Sequence, residues 1–197
     1  TATLLWSAQW KPLYKCQFVQ WHSQIEPQFL FNTRCKVNSV ISHDPKAAQN
    51  MVGELTDLLR GTLQNSRKET STLTAELDLV DAYLAIQKIR LDERLNYQIT
   101  SSIDEEVSFA PLLLQPLVEN AIQHGIEPKV DGGEISIEIS KKEQFMVIEV
   151  EDSGVGFANA PNSSGNGIGL ENTKERIAAL YGKQASLKMK QSASGGV

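Results

Sequence analysis

Three stretches of the chain hold residue types suited to a phosphorylated ligand. In LVENAIQHG, Leu117 to Gly125, Asn120 and His124 stand four apart on one helical face, while Leu117, Val118, Ala121 and Ile122 supply the apolar side. An asparagine carbonyl on such a helix suits Mg2+, a hard ion that takes oxygen ligands and relies on phosphates for the rest of its shell. An ordinary amphipathic helix has the same pattern. In VEDSGVGF, Val150 to Phe157, a strand ends in Asp152 and runs into Gly154 and Gly156. A carboxylate at the base of a loop without side chains can accept a hydrogen bond from an exocyclic amine, such as that of adenine. Asp and Gly also dominate plain turns. In GNGIGLENTKERI, Gly165 to Ile177, the glycines Gly165, Gly167 and Gly169 let backbone N–H groups close on phosphate oxygens. A helix opening near Leu170 points its positive end at the same place. A glycine-rich linker has the same composition, and the preceding Ala158 to Ser164 reads as a mobile lid.

A sheet and its helices must position these stretches. Leu95, Tyr97 and Ile99 alternate as in a half-buried strand, as do Ile135, Ile137 and Ile139, then Met146, Ile148 and Val150. The last two sets predict a hairpin through Lys141 to Gln144. Helices are expected from about Leu73 to Glu93, with Leu77, Val80, Leu84, Lys88 and Leu91 on one stripe, from Ala110 to Ile126, and from about Leu170 to Tyr181. The outcome is an α+β sandwich, a mixed sheet with helices on one face.

Upstream, residues 1 to 24 keep no clean period, although a helix running in from Tyr14 is expected. Pro27 predicts a kink or a fresh helix start in IEPQFLFNT, which places Gln28 in a first turn. After a break at SHDP, Ser42 to Pro45, the residues Ala47, Ala48, Met51, Val52, Leu55, Leu58, Leu59 and Leu63 recur at helical spacing and predict one buried stripe. A helical hairpin of this length buries little alone, so pairing with a second copy into a four-helix bundle is expected. The polar NSRKETST, Asn65 to Thr72, reads as a linker.

Bulk composition narrows the partners. At 197 residues, with 41% hydrophobic and 22% charged, the chain suffices for one sizeable domain, or a small one with a helical module. A formal charge of −5 provides no whole-chain basic surface, so nucleic acid is not expected as a principal partner. Cys16 and Cys35 lack zinc-site spacing and form no disulfide framework, which fits a reducing cytosolic compartment. No uninterrupted apolar run approaches the roughly 20 residues of a membrane helix. Thr1 is not an initiator methionine, so the chain reads as a piece of a longer protein.

The order of the three stretches resembles the N, G1 and G2 boxes of the GHKL ATPase superfamily over about Ala110 to Tyr181. That resemblance implies a Bergerat-type ATP-binding domain using ATP and Mg2+. Asn120 would ligate Mg2+, with His124 on the same helix; Asp152 would read the adenine amine; Gly154 and Gly156 would border the base. Gly165, Gly167, Gly169 and Leu170 would lie at the phosphates. Asn172 and Arg176 also match that region, without an assigned role. Gyrase-like and MutL-like relatives activate water with a glutamate four residues before the asparagine; this chain has Pro116 there.

Further strings, QIEPQFLFNT, LLRGTL, ELDLVDAYLAIQKIR and LLLQPLVENAIQHGI, are similar to the LytS/YehU-type sensor histidine kinases from about Gln24 onward. Such proteins are bacterial membrane sensors, dimeric through a helical bundle, that phosphorylate a histidine from ATP and pass the phosphoryl group to a response-regulator receiver domain. The resemblance implies a helical dimerisation and phosphoacceptor-like region at residues 1–70 and an ATP-binding catalytic domain at 71–197. It also implies a cytoplasmic placement for this part, with a membrane sensor region upstream.

Two departures stand out. The family reads Q-x-x-P-H-F-L-F-N, whereas this chain has Gln28 at the acceptor position. A carboxamide nitrogen is delocalised and non-basic, so it cannot take a phosphoryl group as imidazole does. His22 lies six residues earlier, about 240° round an ideal helix; His43 falls in the interhelical turn, and His124 belongs to the ATP-site helix. None replaces the acceptor. A natural loss and an introduced His-to-Gln change predict the same residue, so a kinase core and a nucleotide-binding pseudokinase both stand as readings. The end, QSASGGV, departs where the family continues through Gly-Thr into a final strand; a shortened chain or a sheet lacking an edge is expected, with reduced stability.

Overall fold

A computed structural model describes residues 27–65, 68, 70–103, 106–143, 145–156, 168–192 and 196–197. The helix expected from Tyr14, His22, the lid residues 158–164, and Gly165 and Gly167 lie outside the described residues. The chain divides into two compact units, Thr1–Gln49 and Asn50–Val197.

The first unit contains helix α1, Pro27–Val40. Proline suits this first position, where its missing N–H would have had no helical partner and its φ is already set. Gln28 is therefore in the first turn, as expected. A turn at residues 41–43 separates α1 from α2, Pro45–Asn65. Asp44 caps α2: its Oδ1 accepts from the Ala47 amide at 2.9 Å, while Pro45 fills the first helical position.

Most of α2 belongs to the second unit. The predicted stripe is narrower than expected. Ala48, Met51 and Leu58 are buried, but Val52 and Leu63 are 47% and 51% exposed. The buried line runs through Met51, Leu58, Thr62 and Asn65, with Leu55 half-buried along it; Val52 and Leu63, three helical turns apart, share a different one. Gly61 marks where α2 meets the next helix, since a β-carbon there would stand 2.5 Å from Leu79 Cδ2.

The polar stretch expected as a linker ends in a strand, β1 (Ser71–Thr72), and leads into helix α3, Leu73–Leu91. The Thr72 hydroxyl accepts from the Ala75 amide and caps α3. Helix α3 is buried on more than one side, through Leu73, Leu79, Val80, Tyr83, Leu84, Ile86, Gln87 and Leu91, whereas Leu77 and Lys88 of the expected stripe are only half-buried. A 3-10 turn, Asp92–Arg94, ends it, with Asp92 at φ 58°.

Strands β2 (Leu95–Ser101), β4 (Gly133–Lys142) and β5 (Phe145–Asp152) form a mixed sheet in the order β2-β4-β5. β2 runs parallel to β4, pairing Tyr97 with Ile135 and Ile99 with Ile137. β4 and β5 make the expected hairpin, pairing Ile137 with Val150 and closing at Lys142 and Phe145. A two-stranded ribbon joins β1 to β3 (Ser108–Phe109). On β4, Ile135, Ile137 and Ile139 are at most 1% exposed; burying each stabilises the fold by roughly 1.5–3 kcal/mol. Helices cover this face; of the residues between the isoleucines Glu138 is exposed and Ser136 half-buried, and Glu134, just before them, is exposed. The fold class is the predicted one, helices followed by a mixed sheet with helices on it.

The helix expected from Ala110 begins only at Gln115: α4 is Gln115–Asn120, continued by a π-helical turn over Ala121–Ile126. Residues 110–114 are buried but not helical, and Leu112 has φ 56°. A buried side chain replaces the helical hydrogen bonds there: the Glu76 carboxylate accepts from the amides of Leu112 at 2.7 Å and Leu113 at 3.1 Å. The last helix, α5, spans Ile168–Tyr181, close to expectation.

Candidate functional site

β5 delivers Asp152 as its last residue, 4% exposed. Oδ1 accepts from the Gly154 amide at 2.8 Å, and Oδ2 from the Val197 amide at 3.2 Å. Burial pushes the carboxyl above its ordinary range; the Gly154 and Val197 amides oppose this, Glu151 adds to it and Lys129 opposes it. A buried carboxylate at a strand end, facing a cleft, is the arrangement for accepting a ligand N–H.

Glycines allow the π-helical turn to approach this aspartate. A β-carbon on Gly125 would stand 2.5 Å from Asp152 Oδ1, and one on Gly154 would stand 2.2–2.3 Å from Gly125 backbone atoms. The Val155 amide donates to the Gly125 carbonyl at 3.1 Å. Gly156 has φ 68°, a conformation that other residues rarely adopt. Gly125 was not singled out in the sequence; its position directly after His124, at the end of an apolar helix, is the signal that marks it.

Asn120 is the last α-helical residue and is half-buried. His124 falls within the π-helical turn, where the Glu127 amide donates to Ile122 O, five residues back, at 2.9 Å. This wider turn changes the four-residue same-face relation expected of an α-helix. Turns of this type often occur at functional sites.

A cleft of about 540 Å³ brings several of these residues together. Asn120, Asp152, Leu117, Ala121, Leu170 and the β5 residues Val147 to Glu151 line it, together with residues 187–192. Its volume lies within the range of small-molecule sites. Leu170 in the wall places the first turn of α5 there, and Gly169 is the second residue of that helix. His124 does not line the cleft. Gly165 and Gly167 lie outside the described residues, and for Gln28 only the backbone, in the first turn of α1, is described. Among the described residues, no group of three or more His, Cys, Asp or Glu is placed to hold a metal by itself. A Mg2+ bound through Asn120 would therefore depend on ligand oxygens for most of its shell, and the cleft leaves room for them.

A helical segment precedes an α/β sandwich in which an Asn-bearing helix and the Asp152–Gly154 turn meet on one cleft, the architecture of a small-molecule-binding domain. Comparison with known families agrees: residues 16–95 match the histidine kinase family, and residues 108–196 match the family of histidine kinase-, DNA gyrase B-, and HSP90-like ATPases. The chain belongs to the LytS-type sensor histidine kinases that carry a GHKL ATPase domain. It is 37% identical over 173 residues to the sensor histidine kinase YesM of Bacillus subtilis, covering 85% of this chain and 30% of that protein. It is 31% identical over 199 residues to the sensor histidine kinase/phosphatase LytS of Staphylococcus aureus, covering 95% of this chain and 34% of that protein. The sensor protein LytS of Staphylococcus epidermidis is 29% identical over 186 residues, covering 88% of this chain and 31% of that protein. The chain thus spans about a third of the length of the curated relatives it matches. Among the described residues, no helix is long and apolar enough to cross a membrane.

Proposed function

We propose that this chain is the core of a two-component sensor histidine kinase, binding Mg–ATP for phosphoryl transfer to a histidine and then to a response-regulator receiver domain. The meeting of Asn120, Asp152 and the first turn of α5 on one cleft carries this reading. In it, Asp152 accepts the adenine amine, Gly154 and Gly156 flank the base, and Asn120 ligates Mg2+, with His124 on the following turn. Gly165, Gly167, Gly169 and the first turn of α5 at Leu170 hold the phosphates. Bound Mg–ATP supplies the transferable phosphoryl group; the residues of this chain hold and orient it. Mg2+-dependent binding of a non-hydrolysable ATP analogue tests the reading.

The nucleotide domain is taken to begin near residue 71, which is supported by the pairing of β1 with β3. Residues 1–70 then form the dimerisation and phosphoacceptor-like region. The exposed Val52 and Leu63, on one line of α2, support a homodimer through the helical hairpin. The relatives' greater length and their naming as sensors support a parent protein with an upstream sensor region, placed in the bacterial inner membrane with this part in the cytoplasm.

Gln28 favours a second reading, a nucleotide-binding pseudokinase acting as a dimeric signalling module. With no imidazole at that position, this chain does not autophosphorylate there. Restoring histidine at position 28 and testing for γ-phosphate incorporation separates the two.

A further inference from the structure

Helix α5, whose first turn lines the cleft, is held at its far end by a buried charge arrangement outside the nucleotide residues. Arg176, two turns into α5, donates to the carbonyl of Leu112 at 3.0 Å and to that of Pro111 at 2.6 Å. Tyr181 of the same helix accepts from the Ala110 amide at 3.0 Å. The other side of this segment is held from α3: Glu76, 1% exposed, accepts from the Leu112 and Leu113 amides. One short non-helical segment is thus gripped through its carbonyls by a guanidinium and through its amides by a carboxylate. Such charge-assisted bonds are roughly twice as strong as neutral ones, and the planar fork of Arg176 spans two successive carbonyls as a lysine cannot. The segment leads directly into α4, three residues before Leu117 and six before Asn120. The two charges also attract each other, since each counteracts the shift that burial causes in the other.

We propose that Glu76 and Arg176 are positioning residues, a clamp on residues 110–113 that sets the phosphate-facing end of α5 against the magnesium-ligating Asn120 of α4. The inference rests on the nucleotide-binding reading above. Asp152 stands outside the clamp, because its place is set by β5 and by the packing of Gly125 on Gly154. The clamp therefore acts chiefly on the phosphate end of the ligand and reaches the base only through Gly125, at the far end of the Asn120-bearing helix.

The test compares two ligands by calorimetry, adenosine and the Mg2+ complex of a non-hydrolysable ATP analogue, on the parent chain and on Arg176→Met, Arg176→Lys and Tyr181→Phe. Thermal unfolding is followed alongside, and the titrations are made at temperatures where each variant is folded. For Arg176→Met the expected result is a loss of about tenfold or more in affinity for the analogue, the scale of a hydrogen bond to a charged group, with adenosine binding weakened by a far smaller factor. Arg176→Lys should recover part of the loss, and Tyr181→Phe should shift the analogue alone by a smaller factor. Should Arg176→Met not fold, the same ligand-selective loss in Arg176→Lys decides the matter. Equal weakening of both ligands would reduce the clamp to a stability element and overturn the inference, as would unchanged binding of both. A parent chain that binds neither ligand would overturn the nucleotide-binding reading itself, and this inference with it.

Discussion

Gly125 and Gly154 touch backbone to backbone: a β-carbon on Gly154 would lie 2.2 Å from the carbonyl carbon of Gly125. The contact joins the end of the Asn120-bearing helix to the turn that follows Asp152, so it sets the depth at which the carboxylate sits. No rotamer change relieves a clash between a methyl group and backbone. Gly154→Ala is expected to destabilise the fold by about 1–3 kcal/mol and to abolish ATP-analogue binding. Gly125→Ala, directed at the Asp152 carboxylate, should do the same. Chemical denaturation and calorimetry on both variants check this; full binding by either would mean that the close approach does not shape the site.

The raised Asp152 carboxyl has a pH signature in binding and in stability. A ligand amine needs the ionised acceptor most, so analogue affinity should fall as pH drops through a value above the ordinary 3.8 of an aspartate. For stability the sign is opposite. Between 3.8 and the raised folded value, the native chain holds a proton that the unfolded chain has released, so stability contributed by this group falls as pH rises through that window. Analogue titrations of the parent chain across the acid range read the first dependence, and Asp152→Asn should flatten the second, as measured by denaturation midpoints over the same range.

Gln28 is in the first turn of α1, at the position that the proposed function assigns to the phosphoacceptor. Gln28→His should restore incorporation of γ-phosphate from ATP, in a form stable to base and labile to acid, the behaviour of a phosphoramidate. Incubation with labelled ATP checks it. Normal nucleotide binding without incorporation would favour the pseudokinase reading.

Val52 and Leu63 expose apolar surface along one line of α2. If that line is a dimer face, Val52→Asp and Leu63→Asp should convert a dimer to a monomer. At exposed positions the intrinsic stability change stays within about 0.5 kcal/mol. Sedimentation equilibrium reads the result, and an unchanged oligomeric state in the double variant would remove α2 from the interface.

Much of this architecture was legible because it is periodic. Alternation identified β2, β4 and β5, and the proline and aspartate punctuation identified the starts of α1 and α2. The helix expected at Ala110 failed for a non-local reason: Glu76, thirty-six residues upstream of Leu112, takes the amides that a helix would otherwise have bound internally. The apolar run from Ala110 carries no trace of that partner. The stripe on α2 was overestimated because eight apolar positions cover more of the helix circumference than one neighbour can bury. In the candidate site, Asp152, Asn120 and Leu170 were found from motif spacing, whereas Gly125 was missed because its role appears only when the turn after β5 folds back against it.

Whether Asp152 and Asn120 form a nucleotide site is decided by calorimetric titration of a non-hydrolysable ATP analogue into this chain, with and without Mg2+, alongside Asp152→Asn and Asn120→Ala. Magnesium-dependent binding is predicted for the parent chain, lost on Asp152→Asn and no longer strengthened by Mg2+ on Asn120→Ala. Absence of binding by the parent chain, or binding left intact in both variants, would mean that these two residues do not form a nucleotide site.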